Sequence, residues 1–114
     1  MKRAWVLAAL VALGCRRPDS VVPPRLVSPV PFQYPEALWD AGVEGRSVLR
    51  LWVDTAGRVD SVRLARSSGY PGFDSAALAA AWRLRFEPAR RGARPLAVWV
   101  LLPVEFRLDT VGKR

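Results

Sequence analysis

The segment that decides the fold runs from Gly45 to Ser68 and begins Gly-Arg-Ser-Val-Leu-Arg-Leu-Trp-Val, with Asp-Thr-Ala-Gly next at 54–57. Its first nine residues divide by parity: the odd positions include Ser47, Leu49, Leu51 and Val53, and the even positions are Arg46, Val48, Arg50 and Trp52. A period of two predicts a strand with one buried face. Residues 54–57 suit a type I turn, with Asp first and Gly last. The apolar phase then shifts between Val59 and Val62, which predicts a bulge near residues 60–61 of an antiparallel hairpin.

The composition indicates one small, basic domain. The chain has 114 residues and a formal charge of +8, and a predicted signal peptide that contains Lys2 and Arg3 lowers the charge of the mature chain to +6. Such a charge favours acidic partners or anionic lipid surfaces. The chain has no His and a single Cys, at position 15, so the commonest general base and the commonest nitrogen ligand for zinc are missing. The sequence therefore predicts a protein that is not an enzyme and that uses neither a metal nor a cofactor.

The N-terminus predicts export and attachment to a membrane. Residues 1–15 have a positive start and an apolar run from Ala4 to Gly14, which suits a secretory signal but is shorter than the ~20 residues that a spanning helix needs. The run ends Ala-Leu-Gly-Cys, which resembles a bacterial lipobox and predicts lipidation of Cys15. An ordinary cleaved signal and an uncleaved anchor are the alternatives. By the same resemblance, Arg16 in place of an Asp favours the outer membrane over the inner membrane.

The rest of the chain is predicted to form a tether and a folded domain. Residues 16–32 contain Pro18, Pro23, Pro24, Pro29 and Pro31, which predicts an extended tether without strand ladders, at most about 50 Å long. The pattern of residues 33–108 predicts a two-layer α+β domain. Its small antiparallel sheet consists of the hairpin and a C-terminal strand, and two helices cover that sheet. The helices are expected after Pro35 and from about Phe73 to Arg83, with a basic exposed turn at 90–95 and a tail at 109–114.

The last strand is expected from Leu96 to Leu108. Pro103 lies within it, and because proline cannot donate to a ladder, the strand either lies at the edge of the sheet or has a bulge there. Trp52 and Trp99 project from the faces opposite the predicted core. Their two interpretations are an exposed patch for a partner and a second small cluster beneath the tether.

These features in this order resemble the C-terminal domain of the TonB family. The matching segments, which cover residues 31–108, are Gln33-Tyr34-Pro35, Gly42 with Gly45, Val53-Asp54 with Gly57-Arg58-Val59, Ser67-Ser68-Gly69, Asp74 with Ala76-Ala77-Leu78, Arg85 to Ala89, Val98-Trp99-Val100, and Pro103-Val104 with Phe106. Leu84 departs from the family, which often has Trp there.

The resemblance implies a function in transport. TonB-like proteins act in the periplasm and transmit work from proton-driven motor proteins of the inner membrane to outer-membrane transporters. An extended transporter segment adds as a strand to the exposed edge of the sheet. Carried onto this chain, the partner-binding residues are Gln33, Tyr34 and Pro35 and, on the edge strand, Val98, Trp99, Val100, Leu101 and Leu102.

Three departures limit that implication. The chain has no His and no apolar run long enough to span a membrane, whereas the family engages the motor with a spanning helix that carries a His. Its tether is also short, whereas the family has a long Pro-rich spacer that crosses the periplasm. The expectation is therefore a periplasmic, lipid-tethered binding module linked to energy-dependent transport. The alternative is a structural cell-envelope lipoprotein that binds another periplasmic protein through the same edge. Nucleic-acid binding is not expected, because the arginines are scattered and the signal exports the chain.

Overall fold

The structure is a computed structural model that describes residues 20–29 and 32–108. Its elements in chain order are β1 (Val21–Val22), β2 (Arg25–Leu26), α1 (Glu36–Asp40), β3 (Gly45–Val53), β4 (Val59–Arg66), α2 (Pro71–Ala81), β5 (Phe86–Glu87), β6 (Ala89–Arg91), β7 (Arg94–Leu96) and β8 (Val98–Phe106). The described residues form a small α+β fold with antiparallel sheets, as the sequence predicts.

The main sheet has the order β4-β3-β8, and both of its ladders are antiparallel. The hairpin turn closes as predicted: the Gly57 N–H donates to the Asp54 carbonyl at 2.9 Å, and Asp54 Oδ1 accepts the Ala56 and Arg58 N–H groups. Trp52 pairs with Ser61 but its neighbour Val53 pairs with Val59, which leaves Asp60 unpaired and confirms the predicted bulge.

A second bulge lies farther along β4 and was not predicted. Val48 pairs with Arg66 while Leu49 pairs with Leu64, so Ala65 is the extra residue. The ladder between β3 and β8 has no register shift, and Pro103 pairs opposite Val48 within it. Of the two interpretations of Pro103, the structure therefore selects the edge strand.

The core lies between the main sheet and α2. The odd residues of β3, Ser47 to Val53, are fully buried, as the alternation predicts, and Phe73, Ala77 and Leu84 cover them. Each fully buried leucine contributes roughly 2 kcal/mol. The Phe73 ring stacks on Phe106 with centroids 4.4 Å apart, so α2 packs on β8 as well as on the hairpin.

A hydrogen-bond network around Asp74 joins the loop after β4 to the sheet. Asp74 Oδ1 accepts from the Ser47 hydroxyl at 2.7 Å and from the Ser68 N–H at 2.9 Å, and Oδ2 accepts from the Ser67 hydroxyl. Burial acts to raise the pKa of Asp74, but the hydrogen bonds from Ser67, Ser68 and Ser47 outweigh it and lower the pKa to about 2. The Ser-Ser-Gly segment at 67–69 thus has a structural explanation.

The expected tether is paired with the domain over the residues that the structure describes. β1 pairs with β6 and β2 pairs with β5, and Leu26 packs against the core. The prediction of no strand ladders in this segment was wrong there. The physical reason is spacing: both strands are two residues long and lie on either side of Pro23-Pro24, so their own N–H groups are available.

Two element boundaries also differ from the predictions. α2 begins at Pro71, in the first turn where its missing N–H is harmless, and ends at Ala81. The expected basic turn at 90–95 is the hairpin of β6 and β7, with Gly92 at φ +62°, and the last strand begins at Val98 because β7 pairs separately with β6.

Candidate functional site: the open edge of the main sheet

The candidate site is the outer flank of β8. This nine-residue strand pairs with β3 along its whole length, and no other strand in residues 20–29 or 32–108 pairs with its second flank. Such a flank presents backbone N–H and C=O groups that can template a further strand. Pro103 removes one donor from the strand but does not interrupt its extended backbone.

An apolar groove lies beside the second half of that strand. Its cavity has a volume of about 270 Å³ and is lined by residues of the segment before α1 and of β8: Phe32, Tyr34, Leu102, Pro103, Val104, Glu105, Phe106 and Arg107. The segment before α1 thus forms one wall of the groove and β8 the other. A peptide strand added to β8 at this end would lie against aromatic side chains.

Tyr34 is the fixed part of that wall. Its hydroxyl donates to the Val43 carbonyl, and its ring meets Phe73 and Phe106 edge-on, with centroids 5.4 and 5.6 Å apart. Burial raises the pKa of the Tyr34 hydroxyl, and the charge of Glu44 raises it further. Because the ring is held on three sides, the groove is preformed and does not have to be ordered when a peptide binds.

The residues predicted to bind a partner do not all lie at the groove. Tyr34 and Leu102 meet at the groove, whereas Gln33 lines a separate small cavity against α2 and Arg83. Pro35 precedes α1, where its carbonyl accepts the N–H groups of residues 38 and 39. Cys15, the predicted lipidation site, lies outside the described residues.

The remaining predicted residues, Val98 to Leu101, form the first half of β8. Val98 and Val100 are half-buried and face the core side, while Trp99 and Leu101 project from the other face of the sheet, 40% and 64% exposed. Trp99 packs on Trp52 at 5.3 Å between centroids. The two tryptophans therefore form the small cluster of the second interpretation, and the described part of the tether, residues 20–29, pairs with β5 and β6.

Sequence reasoning missed Phe32, Phe106 and Arg107 as groove residues. Phe106 stacks on Phe73 in the core, and its side chain also lines the groove. Phe32 precedes Tyr34 by two positions, and in an extended segment this spacing places both side chains on one face, a signal that could have identified Phe32. No helix among the described residues is long and apolar enough to cross a membrane.

The sequence and the fold have counterparts in known proteins. The family described as Gram-negative bacterial TonB protein C-terminal matches residues 30–108. The chain is 36% identical over 84 residues to protein tonB2 of Pseudomonas aeruginosa, a match that covers 74% of this chain and 31% of that protein. It is 35% identical over 79 residues to protein TonB of Xanthomonas campestris pv. campestris, covering 69% of this chain and 35% of that one.

The chain thus spans about a third of the length of these relatives. A solution NMR structure of the Pseudomonas aeruginosa TonB CTD is similar in fold, with a TM-score of 0.63 at 24% identity over 75% of this chain and 87% of that chain. Together the matches confirm the resemblance drawn from the sequence. The chain belongs to the TonB family, and its residues 30–108 are the C-terminal domain of that family.

Proposed function

We propose that this protein is a periplasmic binding module of the TonB type, which takes up an extended segment of an outer-membrane transporter as a further strand on β8. The observation that carries the proposal is the open outer flank of β8 beside a preformed aromatic groove. Main-chain hydrogen bonds would supply affinity, and every second side chain of the added strand would enter the groove for specificity.

The charges around the groove favour a polar or acidic partner segment. Glu105 lies between Arg46 and Arg107, at 3.9 and 3.0 Å, so the groove residues Glu105 and Arg107 have a second cation, Arg46, next to them. All three side chains are largely exposed, and pairs of this kind contribute about 0–1 kcal/mol each. An acidic side chain on the added strand could therefore recruit an arginine at little cost.

The proposal places the module in energy-dependent transport across the outer membrane, as the family membership suggests. The chain corresponds to about a third of the length of its TonB relatives, and it includes the C-terminal domain of the family. Attachment through a lipid on Cys15 would hold the domain at a membrane surface, with the outer membrane favoured. The motor proteins of the inner membrane remain proposed partners on family grounds alone.

Site-specific photo-crosslinking in cells tests the proposal. A photo-reactive amino acid replaces Arg107 at the groove, and a matched one replaces Trp82, which is 50% exposed after α2 and lies outside the groove residues. We expect position 107, and not position 82, to crosslink to outer-membrane transporters. Recovery of other periplasmic proteins alone from position 107 would contradict the transporter proposal and favour a structural envelope lipoprotein that uses the same edge.

A further inference from the structure

The face of the main sheet that points away from α2 is a second surface, which shares only Pro103 and Glu105 with the groove beside β8. The cross-strand register defines this outer face by its residues: Arg46, Val48, Arg50 and Trp52 of β3, Ser61, Arg63 and Arg66 of β4, and Trp99, Leu101, Pro103 and Glu105 of β8. The alternate residues of β3 are fully buried against α2, so the outer face is the solvent side of a two-layer domain.

The outer face is apolar at its centre. Trp52 and Trp99 meet edge to face at 5.3 Å, and Leu101 follows Trp99 by two positions on the same side of β8. Leu101 is 64% exposed, which is the highest value among the large hydrophobic residues that are exposed in the described part of the chain. Contiguous exposed apolar surface of this kind marks an interaction site.

The same face is basic around that centre. Arg50 and Arg63 lie directly opposite each other in the ladder, and both guanidinium groups lie over the Trp99 ring, 5.0 and 5.8 Å from its centroid. Like charges placed opposite each other destabilise an antiparallel pair, whereas an anion between them would stabilise it. With Arg46 and Arg66, the face presents four exposed cations against one carboxylate, Glu105, which lies 3.9 Å from Arg46.

A cavity on this face has the chemistry of a phospholipid headgroup site. Its volume is about 620 Å³, and Val48 and Leu101 contribute apolar surface to it while Arg46 and Arg66 contribute cationic groups. A phosphate pairs well with guanidinium groups, and the glycerol and first methylenes of a lipid need apolar contact. The charge and the polarity of the cavity are thus complementary to an anionic lipid.

We propose that the outer face docks flat on an anionic phospholipid bilayer. Lipid phosphates bind at Arg46 and Arg66, Arg50 and Arg63 add electrostatic attraction, and Trp99 and Leu101 enter the boundary between headgroups and acyl chains, where tryptophan is favoured. The interaction is separate from lipidation of Cys15. It leaves the β8 flank open within the plane of the sheet, so strand addition and docking are compatible.

The test places an environment-sensitive fluorophore on the outer face of the full chain. Cys15→Ala removes the single cysteine, and Leu101→Cys or Ala79→Cys then provides the attachment point, the latter on the exposed side of α2. Vesicles contain phosphatidylcholine alone or mixed with phosphatidylglycerol. We expect a blue shift and quenching by brominated lipid at position 101 on the anionic vesicles only, and at position 79 on neither.

Charge variants separate docking of this face from attachment through the apolar N-terminal run. Arg50→Gln with Arg63→Gln should weaken the anionic-vesicle response at position 101 about 30-fold, and high salt should do the same. Arg83→Gln with Arg90→Gln, an equal change of charge outside the outer face, should have a much smaller effect. Equal responses at positions 101 and 79, equal responses on neutral and anionic vesicles, or equal losses in the two double variants would overturn the proposal.

Discussion

Replacement of Asp74 by Asn measures how much the buried network around this carboxylate stabilises the domain. Asn has the same size and keeps an oxygen that can accept from the Ser47 hydroxyl and the Ser68 N–H, which lie 2.7 and 2.9 Å from Oδ1. Its amide N–H group can donate to the Ser67 hydroxyl, which now donates to Oδ2. The substitution therefore removes the negative charge and leaves the packing of α2 in place.

The pKa shift of Asp74 sets the size of the expected loss in folding stability. The pKa of Asp74 is lowered from 3.8 to about 2 in the folded protein, and this difference corresponds to about 2 kcal/mol of stability. Because the folded pKa lies below the unfolded one, the ionised carboxylate stabilises the fold fully above about pH 4–5. The contribution is lost as the pH falls from there through about pH 2.

Urea unfolding of the full chain, followed by circular dichroism between pH 7 and pH 2, is the assay. At pH 7 we expect Asp74→Asn to lower the free energy of unfolding by about 2 kcal/mol, and the gap to the parent should close towards pH 2. Asp60→Asn, a change of an exposed carboxylate on the hairpin of β3 and β4, is the matched control and should cost less than about 0.5 kcal/mol. A gap for Asp74→Asn that stays constant with pH would refute the reasoning from the charge.

Three further predictions concern three glycines and the N-terminus. Gly57→Ala should lower the free energy of unfolding by at least about 3 kcal/mol, because Gly57 has φ +83° and a Cβ there would lie 1.9 Å from the Phe86 carbonyl oxygen. Gly42→Ala is the control and should cost only about 1–2 kcal/mol, because Gly42 has φ +71° but faces open space. Similar losses for the two variants in urea unfolding would contradict this prediction. Gly45→Ala should cost about 1–3 kcal/mol in the same assay, because its Cβ would lie 2.7 Å from a stacked core ring; an unchanged urea midpoint would show that the ring moves freely. Labelled palmitate should enter the parent chain in cells and not Cys15→Ala; equal labelling of both would end the prediction of a lipoprotein.

The sequence by itself determined the features that depend on neighbours along the chain. The alternation from Gly45 to Val53 specified which side chains of β3 are buried, and the phase shift after Val59 specified the bulge at Asp60. Asp54 and Gly57 specified the turn between the strands. These predictions succeeded because side-chain periodicity and turn chemistry act within a few residues.

The sequence also limited β8 to an edge strand or a bulged strand, since Pro103 has no N–H to donate to a ladder, and the structure selected the edge strand. Only the tertiary structure decided which strand β8 joins and what lies beside it. Tyr34 and Phe106 are far apart in the chain, yet they share one groove. The pattern of each segment fixes its buried face but not the partner that covers it, because that choice depends on the total surface that the whole fold removes from water.

The same limit applies to the tether and to the outer face. The prolines in residues 16–32 predicted an extended chain. The pairing of β1 with β6 and of β2 with β5 could not be predicted from these residues, because it depends on strands that lie far away in the sequence. Arg50 and Arg63 share the Trp99 ring only because β3, β4 and β8 adopt one register. Local chemistry therefore set the elements and their faces, whereas long-range packing, in which many weak contacts are satisfied at once, assembled the groove and the basic aromatic surface.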